Sequence, residues 1–292
     1  MILEKQLLLQ KGNNKMIDEK YSVLMSIYYK ENPEYFKLSI ESMLAQTLKP
    51  DEIVIVKDGP LTPELNQVVD NYFNKESDLF TIVTLEKNMG LGLALNEGLK
   101  RCRNELVARM DTDDISIKNR CELQLEEFKK NPELCIVGAW TNEFYNEPTN
   151  IVASRIVPEK HEDIMKFSRR RSPFNHPTVM YKRSAVLACG GYRDVMRKED
   201  IDLFVRMLHN GCLSMNIPKP LLFFRSNEDN YMRRKTWINC KNYISVIYGF
   251  WKIGYSSTID LIMVIIGQLV MFLSPIWFLK ILSKNLLRGK EK

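Results

Sequence analysis

The chain has 292 residues, 45% of them hydrophobic and 27% charged, with a formal net charge of +6 at pH 7. That length suits one domain with a sizeable core plus an appendage, and the composition is that of an ordinary globular protein. The positive excess is dispersed, with no long basic block interleaved with aromatics before the C-terminal third, which argues against a nucleic-acid partner.

The six cysteines (Cys102, Cys121, Cys135, Cys189, Cys212, Cys240) form no Cys-x-x-Cys pair and read as thiols of a reducing compartment, not a disulfide framework or a zinc site. Met1 to Gln10 is too short an apolar stretch for a secretory signal and is interrupted by Glu4 and Lys5, so the globular part is expected in the cytoplasm. Residues 1–20 are polar and irregular and are read as an N-terminal extension. Tyr21 to Tyr28 reads as a first strand, and Pro33 opens a helix to about Ala45. Glu52 to Lys57 is a near-continuous apolar strand of the kind buried on both faces of a parallel sheet. A helix from Pro63 to Asn74, a strand from Phe80 to Leu85, a helix from Leu91 to Arg101 and a strand from Leu106 to Met110 follow. This alternation with short connections predicts a doubly wound, mostly parallel α/β domain over 21–228.

Polar groups collect after the strands. Ser26 and Tyr28 close the first, Asp58-Gly59-Pro60 the second, and Asn88-Met89-Gly90 the third. Asp58 can accept from a base N–H or serve as an ordinary turn residue. Gly90 and Gly92 permit close backbone approach at a helix N-terminus, where anions are favoured. After the fourth strand come Asp111, Asp113 and Asp114, and Asp111 and Asp113 bracket a single small residue. Hard divalent cations take oxygen ligands, and ligands of open α/β sheets bind at the carboxyl ends of strands. The competing reading is a cap for a helix over Ile117 to Asn131, although a cap needs one carboxylate and not three. Cys135 to Trp140 reads as a strand, followed by an irregular stretch to about Pro158, a segment ending in Arg169-Arg170-Arg171, and a strand over Phe174 to Tyr181 that contains His176. A Gly190-Gly191 loop precedes Glu199-Asp200 at the start of an amphipathic helix, Ile201 to Asn210, where an acid is again compatible with a cap.

In order and spacing, VLMSIYY, IVIVKDGP, NMGLGLALNEGL, ARMDTDDISIKNR, NHPTVMY, GGYRDVMRKEDIDLFVRMLHNG and IPKPLLFFR resemble a family 2 glycosyltransferase of the GT-A fold over about Tyr21 to Arg225. The branch they are most similar to builds bacterial exopolysaccharide, capsule or O-antigen units, as the amylovoran glycosyltransferases do. The resemblance implies Asp58 as the base-recognising aspartate, with Ser26 and Tyr28 in the same pocket and Asn88 and Gly90 on the donor side. It implies Asp111 and Asp113 as the pair holding the ribose and, through Mg²⁺ or Mn²⁺, the diphosphate of a nucleoside-diphosphate sugar, a UDP-sugar being the first expectation. Asp200 matches the catalytic base, beside Glu199, and His176 falls in an acceptor-side loop. Processive members carry Q-x-x-R-W. Here Arg233-Arg234-Lys235-Thr236-Trp237 lacks the glutamine, which favours transfer of a single sugar to a glycan acceptor, expected to be lipid-linked. The implied reaction is inverting, with Asp200 taking the acceptor proton. A non-catalytic sugar-nucleotide-binding subunit would need neither Asp113 nor Glu199-Asp200. A nucleotidyltransferase would carry a basic, glycine-rich signature after the first strand, which SIYYKENPEYF does not.

Residues 229–292 read as a helical, membrane-associated region. Ile259 to Leu279 is long and apolar enough to span a bilayer, but Pro275 and the basic residues on both flanks favour a re-entrant or surface anchor on the cytoplasmic face of a bacterial membrane. The alternative is a helix packed on the core.

Overall fold

The computed structural model describes residues 20–226 and 235–275. The N-terminal extension before residue 20, the Arg233-Arg234 half of the Q-x-x-R-W echo and the basic tail from Lys280 lie outside the described residues. Strands β1 (Tyr21–Ile27), β2 (Glu52–Lys57), β3 (Phe80–Thr84) and β4 (Leu106–Arg109) alternate with helices α1 (Pro33–Leu44), α2 (Pro63–Lys75) and α3 (Leu91–Arg101). Local chemistry sets the helix starts. Asn32 accepts from the N–H groups of Glu34 and Tyr35, Thr62 accepts from that of Leu65, and a proline follows each cap.

The sheet runs β3-β2-β1-β4 with every pair parallel, as the buried apolar runs require. Beyond β4 it changes character. The remaining strands are β5 (Ile115–Ser116), β6 (Leu134–Phe144), β7 (Ile151–Arg155), β8 (Met180–Lys182) and β9 (Leu213–Arg225). β8 is antiparallel to both β4 and β6, β9 is parallel to β6, and β5 and β7 add antiparallel edges. The sheet is therefore mixed: parallel crossovers build the first half, and the second combines antiparallel pairs with the parallel β6–β9 pair. Three further expectations are corrected. The helix after the acidic trio, α4 (Arg120–Lys130), begins later than Ile117, because β5 intervenes. The stretch read as irregular holds the end of β6 and all of β7. Phe174 to Tyr181 is not one strand: a short 3₁₀ turn (His176–Thr178) precedes β8.

Two hydrophobic layers follow from strand alternation. Leu24, Val54, Val56 and Val107 face α3, α5 (His161–Ser168), α6 (Arg183–Ala188) and α7 (Glu199–His209), while Val23, Met25, Ile53 and Ile55 face α1, α2 and α4. The C-terminal helices α8 (Trp237–Lys252) and α9 (Thr258–Leu273) join the first layer through Val246, Ile247, Phe250 and Val264. A capping box between Ser257 and Asp260 starts α9, which ends before Pro275. Its outer face leaves Ile259, Ile262, Met263, Ile266, Leu269 and Leu273 exposed. Among the described residues no helix is long and apolar enough to cross a membrane, so the expected spanning length is not met there. The six cysteines are free, and Cys212 lies against Cys135 and Cys189 although the three are far apart in sequence.

Candidate active site

Because β1, β2 and β4 are parallel, their carboxyl ends share one edge, and the loops after them meet there. Ser26 and Tyr28 are half-buried at the end of β1. Asp58, buried after β2, accepts from the backbone N–H groups of Met89 (2.6 Å) and Gly90 (3.0 Å), and Asn88 donates to the Asp58 carbonyl (3.2 Å). Gly59 takes φ +85°, and a Cβ there would lie 2.6 Å from the Asn88 nitrogen, so this turn needs glycine. Asp58 thus ties the second loop to the third, and each oxygen retains a further lone pair for a ligand donor.

After β4 the chain delivers Arg109, then Asp111, Asp113 and Asp114. Arg109 is fully buried and ion-paired with Asp111 at 2.5 Å, and Ser39 donates to the Asp111 carbonyl (2.6 Å). Asp114 is buried and accepts from the Arg225 N–H (2.9 Å), while the Arg225 guanidinium donates to the Asp113 carbonyl (2.9 Å) and lies over the rings of Tyr35 and Phe144. None of the three caps α4, whose cap residue is Asn119. That removes the competing reading of the trio.

The other side of the site comes from α7. Its cap residue is Lys198, with no side-chain cap bond, so Asp200 sits in the first turn and not at the cap. The Ser172 hydroxyl lies 3.2 Å from both Asp200 Oδ2 and the Phe174 carbonyl, which share its single proton. What brings α7 here is Gly92 on α3: a Cβ at that position would stand 3.1 Å from Glu199 Cβ and 3.2 Å from the Arg193 carbonyl. His176 bonds through Nε2 to the Tyr192 hydroxyl (2.9 Å) and feels the charges of Arg109, Asp200 and Asp111, so it stands between the two acidic clusters. Burial, then Arg109, pushes it down to about 4, and it is neutral at pH 7.

The carboxylates at the end of β4 repel one another. Burial first and Asp111 next push Asp113 up to about 6. Burial, then Asp113 and Asp111, pushes Glu31 up to about 7 and holds Asp114 well above the usual carboxylate range. At the start of α7, burial and then Asp200 push Glu199 up to about 7. Among the described residues no three acidic, His or Cys side chains are gathered into a metal-binding group. The donor chemistry of Asp111 and Asp113 nevertheless fits a hard divalent cation: both offer only oxygen, and their mutual repulsion is what such a charge relieves.

The glycosyl transferase family 2 profile matches residues 22–192, which include every loop just described except the start of α7. The chain belongs to that family. As a family 2 glycosyltransferase it has full-length relatives. It is 38% identical over 272 residues, 92% of this chain and 97% of the relative, to the UDP-Gal:alpha-D-GlcNAc-diphosphoundecaprenol beta-1,3-galactosyltransferase of Escherichia coli. It is 39% identical over 224 residues, 77% of this chain and 81% of the relative, to the amylovoran biosynthesis glycosyltransferase AmsE of Erwinia amylovora. In structure it is similar to the mannosyltransferase PcManGT of Pyrobaculum calidifontis, solved with GDP-Man and Mn²⁺, with a TM-score of 0.59, 15% identity and coverage of 97% of this chain and 79% of that one. The S. aureus TarS fragment with UDP-GlcNAc also gives a TM-score of 0.59, at 20% identity over 78% of this chain and 64% of that one.

Sequence reasoning passed over Glu31, Arg109, Ser172, Tyr192 and Arg225. Arg109 carried a usable signal: a cation inside an apolar strand is buried only where it has a partner. Ser172 and Arg225 reach the site only through the second, mixed half of the fold.

Proposed function

We propose that this glycosyltransferase moves one sugar from a UDP-sugar to a lipid-linked saccharide at the cytoplasmic face of a bacterial membrane, inverting the anomeric centre. The observation that carries the reading is the facing of two unlike acidic clusters, with Arg109 and His176 between them. On the donor side, Asp58, Ser26 and Tyr28 suit a nucleoside, with Asn88 and Gly90 holding Asp58 in place. Asp111 and Asp113 would hold a divalent cation, whose chemistry when bound is to neutralise charge on the departing diphosphate. On the acceptor side, Asp200 takes the proton of the attacking hydroxyl as oxygen bonds to the anomeric carbon and the bond to the diphosphate breaks. The Ser172 hydroxyl is within hydrogen-bond reach of Asp200 Oδ2, and burial, then Asp200, pushes the neighbouring Glu199 up to about 7. The E. coli relative, whose name specifies a diphosphoundecaprenol acceptor, matches along nearly its whole length and supports the acceptor class. The apolar outer face of α9 supports work at a bilayer surface. Mass spectrometry of products from a panel of UDP-sugars with a GlcNAc-diphospholipid acceptor tests the reading. A single added hexose is expected. Failure of every donor, or serial addition of sugars, overturns it.

A further inference from the structure

α5 and the chain leading to Ser172 form an open cavity of about 500 Å³. Its walls are Pro158, Phe167, Lys166, Arg170 and Arg171, with Asp163 as the one acid, 3.5 Å from the exposed Lys166 amine. Arg171 lies over the Phe167 ring and leads into Ser172, whose hydroxyl lies 3.2 Å from Asp200 Oδ2. Nothing in the proposed chemistry uses these cations, because the donor diphosphate is assigned to the carboxylate side.

The same segment is fastened to the C-terminal hairpin. Arg170 is paired with Asp260, the Tyr243 hydroxyl donates to the Arg170 carbonyl (2.9 Å), and the Ser256 hydroxyl donates to the Arg169 carbonyl (2.9 Å). Ser168 and Tyr255 share a further bond at 2.5 Å. Tyr243 also feels the charges of Asp200, Arg171 and Arg155, so the hairpin, the cations and the base occupy one neighbourhood. A cationic pocket thus adjoins both the segment that reaches Asp200 and a helix pair whose outward face is apolar. The ligand that matches all three carries a sugar hydroxyl, a compact anion and a hydrocarbon tail, in that order.

We propose that this pocket is the subsite for the diphosphate of the lipid-linked acceptor, with Lys166 and Arg171 as its principal cations and Arg170 as the link to the hairpin. Guanidinium and ammonium groups meet phosphate oxygens in strong charge-assisted hydrogen bonds. The inference rests on the lipid-linked acceptor reading, and the test separates the two. Decyl diphosphate is titrated calorimetrically into the full-length protein in detergent. The wild type is expected to bind it, and the double variant Lys166→Ala/Arg171→Gln to bind at least about tenfold more weakly. Asp113→Ala should bind it normally, and UDP affinity should be unchanged in the double variant. Absence of binding to the wild type overturns the subsite, as does loss in Asp113→Ala with retention in the double variant. Vesicles containing phosphatidylglycerol distinguish a lipid headgroup: if the double substitution weakens vesicle binding as much as decyl diphosphate binding, the pocket is a membrane contact and the subsite is wrong. If decyl diphosphate binds as expected but no sugar-diphospholipid is glycosylated, the function fails and the pocket stands.

Discussion

The two acidic clusters of the site are built by opposite means. The one after β4 is crowded: three aspartates and Glu31 repel one another, and two arginines restrain it from below and from the side. The one at the start of α7 has two members, of which burial pushes Glu199 up to about 7, while Ser172 lies within hydrogen-bond reach of Asp200. A crowded cluster gains from an added positive charge, and a cluster with one neutral member can receive a proton on the other. Electrostatic arrangement therefore suits the two clusters, built of similar side chains, to the different tasks proposed for them.

The largest effect is expected from Asp200→Asn. Turnover should fall about 10²–10⁴-fold with donor binding retained, measured by single-turnover kinetics and UDP-sugar titration. Near-normal turnover would return Asp200 to a purely local role in α7. Asp113→Ala should instead lose divalent-dependent donor binding by at least about tenfold, and excess chelator should reproduce that loss in the wild type. Full activity in chelator removes the cation from the scheme, leaving the repulsion after β4 without a function.

Asp113 and the other acidic residues after β4 stood out in the sequence for a geometric reason, whereas Asp200, on α7, was singled out through the family resemblance. Parallel strands buried on both faces are continuous apolar runs, so β1 to β4 and the loops at their ends stand out, and the functional residues of the first half sit in those loops. The second half hides its strands. Leu213–Arg225 carries Pro218 and Pro220, which ordinarily argue against a strand; β9 accommodates them where the pairing with β6 shifts register near Trp140. β7 is a largely exposed edge without a buried alternation. Arg225 and Ser172 depend on that half, so they were invisible until the sheet closed. The helix-cap alternatives for the acidic trio and for Asp200 failed for a related reason: cap residues are fixed by where a helix begins, and those starts, at Asn119 and Lys198, are loosely marked in the sequence.

The link between the clusters can be tested at Gly92. Alanine has the better helix propensity by about 1 kcal/mol, but its methyl would meet the Arg193 carbonyl and the Glu199 side chain at 3.1–3.2 Å. Stability is expected to change by no more than about 1–2 kcal/mol, because overpacking and propensity oppose each other. Turnover should fall several-fold with KM for the donor nearly constant, since α7 is displaced and the β4 loop is not. Equal losses in both parameters would mean that Gly92 supports the nucleotide side instead.

The smallest effect concerns pH. Glu199 ionises near 4.5 when free and near 7 in the folded protein, so between those values the folded state holds one more proton than the unfolded chain. Stability from this group is therefore present at low pH and lost as pH rises toward and through 7. Glu199→Gln removes the titration. Its urea midpoint should match the wild type near pH 5 and exceed it at pH 8, by about 1–3 kcal/mol once converted to free energy. His176 works in the opposite direction, since its depressed value destabilises the fold as pH falls from about 6.5 to 4, but it is common to both proteins and cancels in the difference. Asp200, Lys198 and Arg109 face Glu199 and are likewise unchanged. Repeating the series with Mn²⁺ sharpens the comparison. A cation between Asp111 and Asp113 should alter the pH dependence of both proteins equally, leaving the Glu199-dependent difference intact. If Mn²⁺ abolishes that difference, the two clusters titrate as one unit and the division of labour between them is wrong.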